Sequence, residues 1–419
     1  MARINFFKFR RINPLIPSLL SFAILLAAVL ILYLSFQSYI KPVDNQPNVY
    51  PEIQYLTGKN MDFDQLKLYF QQLARSKGAV YAFEILNKAP IPYGTDMHLL
   101  AHSVGDELYK QKGIDGMKYC TDDFRNACSH TIVINLFYEK GEAGLAEISK
   151  ACKEAPGEGG YNMCYHGLGH GVFAYAGYEL PKTDKLCKEV ANNNLTGPEY
   201  KECMGGAVME QISGGDHDKT TWQLQRTINL RSDKPLFPCM TSLVPEPARQ
   251  TCLVYLTPYL WELAGKNSAD VPDEMLIKSS EYCDAISKND QKNREACFGG
   301  FGKEFLAMAK GKDIRHIDQL TDEEMGKIYR WCSLIPYKDG QEACVKYVLG
   351  SMYWGGANDK KLVEHFCALA PTEELNNYCF QRLISTIGKG EKQNPEYLKE
   401  FCNEIPESLH NQCQKQLFK

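Results

Sequence analysis

The sequence predicts an all-α fold: an α-solenoid of helix hairpins, each stapled by a disulfide, behind one N-terminal transmembrane helix. Three observations predict it. An uncharged run, "PSLLSFAILLAAVLILYLSF" (Pro17 to Phe36), opens the chain. All 16 cysteines follow it, between Cys120 and Cys413, and fall into consecutive pairs. The text around each pair repeats one pattern: an amphipathic segment, a cysteine, a polar turn, a second cysteine, an apolar segment and a glycine.

The apolar run has the length that spans a bilayer as a helix. Arg3, Lys8, Arg10 and Arg11 precede it, and flanking cations on one side mark a cytoplasmic N-terminus. A cleaved signal peptide is the competing reading. Its apolar core is shorter and ends at a small-x-small site, whereas "SFQSYIK" follows here. The expected organisation is therefore a basic cytoplasmic tail (1–13), an anchor (14–38), a polar linker (39–60) and an extracytoplasmic repeat domain (61–419). Under either reading the cysteines lie in the periplasm or outside the cell, where thiols oxidise. The net charge of −4 offers no basic surface for nucleic acid, so the membrane is the one partner the sequence implies directly.

The cysteine pairs are Cys120–Cys128, Cys152–Cys164, Cys187–Cys203, Cys239–Cys252, Cys283–Cys297, Cys332–Cys344, Cys367–Cys379 and Cys402–Cys413. Their first members recur every 32 to 52 residues, a period suited to helix-hairpin repeats with variable loops. The first cysteine closes a helical stretch such as "KKLVEHFC" or "EYLKEFC". Pro156, Pro336, Pro371 and Pro406 follow four residues later, where proline stops a helix. The second cysteine opens an apolar helix, as in "CYHGLGHGVFAYAG" and "CFGGFGKEFLAMAKG", ending in glycine, which adopts a left-handed C-terminal conformation without strain. A disulfide within each pair would staple the hairpin and, for loops this short, contribute about 2–3 kcal/mol. Free thiols or thiolate metal sites are the alternative, but no C-x-x-C occurs. Residues 214–238 form the main insertion. From residue 80 onward the layout resembles the disulfide-bridged αα-hairpin proteins of the Sel1-like, cysteine-rich type. That resemblance, one of architecture, implies a binding scaffold and says nothing about histidine.

Histidine occupies one repeat register. His166 and His170 lie two and six residues after Cys164, and His130 lies two after Cys128. In the cysteine-free first unit, "DMHLLAHSVGDELY" places His98 and His102 two and six residues after Asp96. Residues four apart share a helix face, and stacked repeats align equivalent positions. Five imidazoles are thus expected on one patch near the membrane-proximal end of the array. A curled array would make one site of four or five ligands, and a flatter one two sites with His130 completing either. Gly167, Gly206 and Gly300, each three residues after a cysteine, mark close helix approach. Buried, hydrogen-bonded core histidines are the competing reading.

With the thiols oxidised, an imidazole site suits zinc, copper or iron. Haem is the lesser reading, since no C-x-x-C-H is present. Asp96, Asp106, Glu107 and Glu210 are the candidate carboxylates, with Glu107 and Glu210 as possible bases for a metal-dependent hydrolase or oxidoreductase. The H-E-x-x-H glutamate of zincins is missing. His217, in "GGDHDK", is a further histidine of interest. His316, His365 and His410 fit solvated helix positions. The rival function is a scaffold that binds a protein or peptide on its concave face.

Overall fold

A computed structural model of the chain describes residues 50–157, 159–214, 218–265, 271–354, 360–390 and 395–418. The basic tail, the predicted anchor, the linker up to residue 49 and His217 lie outside the described residues. Among the described residues no helix is long and apolar enough to cross a membrane, and none forms a β-strand. The chain divides into two compact units, Met1–Gln54 and Tyr55–Lys419. Where the sequence predicts linker, a short helix α1 (Pro51–Leu56) forms. The second unit carries the rest.

Its first hairpin is α2 (Phe63–Lys77) and α3 (Ala79–Lys88). Asp62 starts α2 with a capping box: its side chain accepts from the Gln65 amide, and the Gln65 side chain returns to the Asp62 amide, satisfying two otherwise orphan donors. Then come α4 (Met97–Lys112), α5 (Asp123–Lys140), α6 (Leu145–Cys152), α7 (Gly160–Tyr175), α8 (Leu180–Val190) and α9 (Pro198–Ser213). The insertion holds α10 (Lys219–Asn229), followed by α11 (Glu246–Tyr255), α12 (Thr257–Ala264), α13 (Asp273–Glu281) and α14 (Gln291–Ala309). The chain ends with α15 (Asp322–Ser333), α16 (Lys338–Trp354), α17 (Lys360–Ala368), α18 (Glu373–Gly390), α19 (Pro395–Glu404) and α20 (His410–Leu417). The apolar helices start earlier than their cysteines suggest. Helix α7 begins four residues before Cys164, and α14 six before Cys297. The polar text before each cysteine supplies the first, partly solvated turn.

All eight cysteine pairs are bonded in the sequential pattern, with Cα–Cα separations of 5.4–5.7 Å. Each joins the end of one helix or turn to the first or second turn of the next long helix. Among the described residues no cysteine is free. Eight such bonds point to an oxidising, extracytoplasmic compartment.

The long helices pack in chain order: α4 on α5, α5 on α7, α7 on α9, α9 on α11, α11 on α14 and α14 on α16. The row curls back on itself. A 3₁₀ turn after α14, Ile314–Gln319, meets α4 and α5, and the Gly94 amide donates to the Gly311 carbonyl (2.9 Å). Arg315 fastens this closure. Its Nη1 donates to the carbonyls of Leu86 (2.9 Å) and Ala89 (2.6 Å) at the end of α3, while Asp313 holds the other side of the guanidinium. A cation is favoured at a helix C-terminus, where carbonyls lack partners. Arg315→Ala is expected to cost about 2 kcal/mol, the scale of lost hydrogen bonds to a charged group, read as a lower midpoint in urea unfolding.

Candidate metal centre

Helix α4 supplies His98 and His102, one turn apart. It is started by Asp96, whose Oδ1 accepts from the Leu99 amide (3.1 Å). Helix α5 supplies His130, fully buried, and α7 supplies His166 and His170, buried as well. The glycines explain how three helices bring these rings together. A Cβ on Gly167 would lie 2.6 Å from the His130 Cα, and one on Gly206 would lie 1.9 Å from the His166 carbonyl oxygen. Glycine at these places lets α5, α7 and α9 approach more closely than side-chain packing permits.

His130 sits centrally. Its ring centroid is 5.3 Å from His98, 5.8 Å from His102, 5.7 Å from His166 and 6.5 Å from His170. The row curls enough to gather all five rings in one contiguous cluster. Within it, ligand nitrogens of His98, His102 and His130 all lie within 4.8 Å of one another. The Nε2 atoms of His98 and His102 are 3.1 Å apart, close to the roughly 3.3 Å between tetrahedral nitrogens bonded to one ion at about 2.0–2.1 Å. His166 and His170 flank this trio rather than belong to it, so the trio is smaller than the four or five ligands a curled array was expected to give.

Neighbours fix the ring orientations. His98 Nδ1 lies 2.7 Å from the Phe124 carbonyl. A carbonyl only accepts, so Nδ1 carries the proton and Nε2 keeps its lone pair. His170 Nδ1 contacts Glu210 Oε2 at 3.0 Å, which leaves its buried Nε2 without a partner. An outer carbonyl or carboxylate of this kind is what usually orients metal-binding imidazoles. Both ring nitrogens of His130 are buried without partners, as is His166 Nδ1.

Burial holds three of the rings, His98, His130 and His166, neutral. Burial pushes His98 down to about 4, against the pull of Phe124 and Asp96. Burial, reinforced by the four surrounding imidazoles, keeps His130 well below its ordinary value. His166 is lowered in the same way by burial, His170 and Lys303. Neutral imidazole is the form that binds metal.

The cluster borders a cavity of about 230 Å³ lined by His98, His130 and His166 together with Arg125, Met163, Met209, Tyr255, Trp261, Lys303 and Glu304. The Tyr255 ring packs against His166, tilted, with centroids 4.7 Å apart. Glu202, 3.7 Å from His166 Nδ1, has its carboxyl pushed up to about 7 by burial. Burial would also raise Glu304, but Lys303, Arg125 and Lys312 outweigh it and hold this carboxyl low.

The other sequence-predicted residues lie in different surroundings. Glu107 Oε1 accepts from Arg75 (2.8 Å) and Lys110 (3.0 Å), which ties it to the α2 interface as an ion pair. Asp106 accepts from Asn135, and Asp96 serves as the helix cap. Glu210 is the candidate carboxylate that touches a histidine. The insertion helix α10 steadies the end of Glu210's own helix: Trp222 Nε1 donates to the Glu210 carbonyl (2.8 Å). His365 is exposed and paired with Asp322, and His410 contacts the Ile405 carbonyl. His316 lies in the 3₁₀ turn after α14. Sequence reasoning missed Arg125, Glu202, Tyr255, Lys303 and Glu304. Glu202 could have been found, since it adjoins Cys203 at the start of a long helix. Nothing local marks the others.

No protein-family model matches the chain, nor does any curated protein or solved structure. Its helical, disulfide-rich character does not by itself identify Sel1-like repeats.

Proposed function

We propose that this protein is a membrane-anchored, extracytoplasmic hairpin solenoid that binds a transition metal (zinc, copper or iron) at a histidine centre whose core is His98, His102 and His130. The observation that carries this reading is the convergence of three imidazoles from two helices on one point, beside further buried ring nitrogens that have no hydrogen-bond partner. An unpaired buried polar group costs about 1–3 kcal/mol, so a packed core would not retain several of them in one place without a use. A metal ion accepts those lone pairs. Direct ring-to-ring contact throughout the cluster favours an ion over a haem, which needs a flat gap between its two axial rings. The adjoining cavity leaves room for a further ligand on the metal, the arrangement a metal-dependent hydrolase or oxidoreductase requires. Glu202 and Glu210, against the flanking His166 and His170, are the carboxylates that touch the cluster.

The test is elemental analysis of the purified chain, prepared without an affinity His-tag, stripped with chelator, reloaded separately with zinc, copper or iron, and dialysed. About one ion per chain is expected for the cognate metal. A chain that retains none under any loading supports the alternative, a scaffold that binds a protein or peptide partner on its concave face.

A further inference from the structure

We propose that the cavity beside the histidine cluster binds a small oxyanion-bearing ligand, a carboxylate or phosphate with an apolar body, through the Arg125 guanidinium. The start of α5 is unusual. Phe124, Arg125 and Asn126 all adopt left-handed backbone conformations, with φ of 55°, 53° and 61°. Phe124 and Arg125 are strained in this region, and strain of this kind persists only where the surroundings impose it. Here Asn126 Nδ2 donates to the Pro156 carbonyl (2.9 Å), and the Phe124 carbonyl accepts from His98. The turn therefore does two things at once: it orients a histidine of the cluster and delivers Arg125 to the cavity wall.

Arg125 arrives there with unused donors. Its Nε and Nη2 are buried without a partner, although guanidinium cannot shed its charge and presents a planar fork suited to two oxygens. Trp261, only 3% exposed, lines the same cavity with its indole Nε1 also unpartnered. Lys303 and Lys312 add positive charge to the wall. Against these and Arg125 stand two carboxylates, Glu304, which Lys303 pairs with, and Asp96, which accepts from the amide of Leu99, so the wall keeps a net positive charge carried by Arg125 and Lys312. Donors without acceptors and a surplus of cations define a receptor for an anion. A charge-assisted, bidentate contact would hold the oxyanion, and Met163 and Met209 offer apolar surface to the remainder. The ligand would lie next to the histidines, so the inference deepens the metal-centre reading and rests on it for the ligand's fate. Binding itself needs no metal.

The experiment is calorimetric titration of benzoate, phenylphosphate, inorganic phosphate and neutral benzamide into the chelator-stripped full chain, with metal uptake measured separately on the same variants. Saturable binding of an anion, but not of benzamide, is expected. Arg125→Gln should weaken it by about tenfold or more, and Arg125→Lys should recover only part of the loss, since the ammonium lacks the fork. Trp261→Phe, which leaves the left-handed turn untouched, should weaken it severalfold and keeps the test valid if Arg125→Gln misfolds. A preference for benzoate or for the phosphates names the ligand's oxyanion. If no anion binds at millimolar concentration, or if the Gln and Phe variants bind as tightly as the parent, the proposal is overturned. Anion binding by a chain that takes up no metal would sink the metal centre and leave this inference standing.

Discussion

The His130→Ala chain is expected to take up metal on the order of 100-fold more weakly than the parent, or not at all, since even outer-sphere substitutions cost 10–100-fold and this one removes a ligand of the proposed centre. The expected effect is largest here because His130 is the hub of the cluster and both its nitrogens are buried without partners. The same fact makes the metal-free proteins behave differently. Truncating a buried ring leaves a cavity, which destabilises, but it also removes two unsatisfied polar atoms, which stabilises by about 1–3 kcal/mol. The stripped variant should therefore unfold near the temperature of the stripped parent. Added metal should raise the parent's Tm, because a ligand that binds only the folded state stabilises it by mass action, and should leave the variant's unchanged. A variant that gains as much Tm from metal as the parent would place the ion elsewhere.

Gly206→Ala is expected to destabilise the chain by about 3 kcal/mol or more, at the upper end of overpacking effects. The added methyl would sit 1.9 Å from the His166 carbonyl oxygen and 3.2 Å from the Gly169 Cα. These are backbone atoms, which cannot turn aside as a flexible side chain could. Relief requires α7 and α9 to separate, and α7 carries two of the five histidines. Metal affinity should fall together with the urea midpoint. Gly350→Ala in α16 is the control: a Cβ there meets nothing within 4 Å, and alanine stabilises an open helix position by up to about 1 kcal/mol. A Gly206→Ala protein as stable as the parent would mean that α7 and α9 are not in close contact.

The hairpins were legible because their signals are local. A cysteine after an aromatic helix end, a proline four residues on and a second cysteine before an apolar run all lie within one repeat, and the sequential pairing follows from them. The histidines were legible as a register, because His98, His130 and His166 hold the same place relative to Asp96, Cys128 and Cys164. Helix starts were less so: the polar text before Cys164 and Cys297 reads as turn, yet it forms the solvated first turn of α7 and α14. Glu107 is one of the candidate site carboxylates in the sequence. In space it faces α2, where Arg75 claims it, since one helix turn separates two faces that the linear sequence sets side by side.

The amino-acid sequence on its own determined the helical class, the disulfide pattern and the identity of the clustered imidazoles, since each depends on spacing within one or two repeats. Only the tertiary structure decided that the helix row curls, that His98, His102 and His130 share one point while His166 and His170 stand beside it, and that Arg125 faces the same cavity. Curvature is fixed by contacts between residues far apart in the chain: Gly206 against His166, and Arg315 against carbonyls more than 220 residues earlier. The left-handed turn at Phe124–Asn126 is likewise imposed by its surroundings, against the intrinsic preference of Phe124 and Arg125.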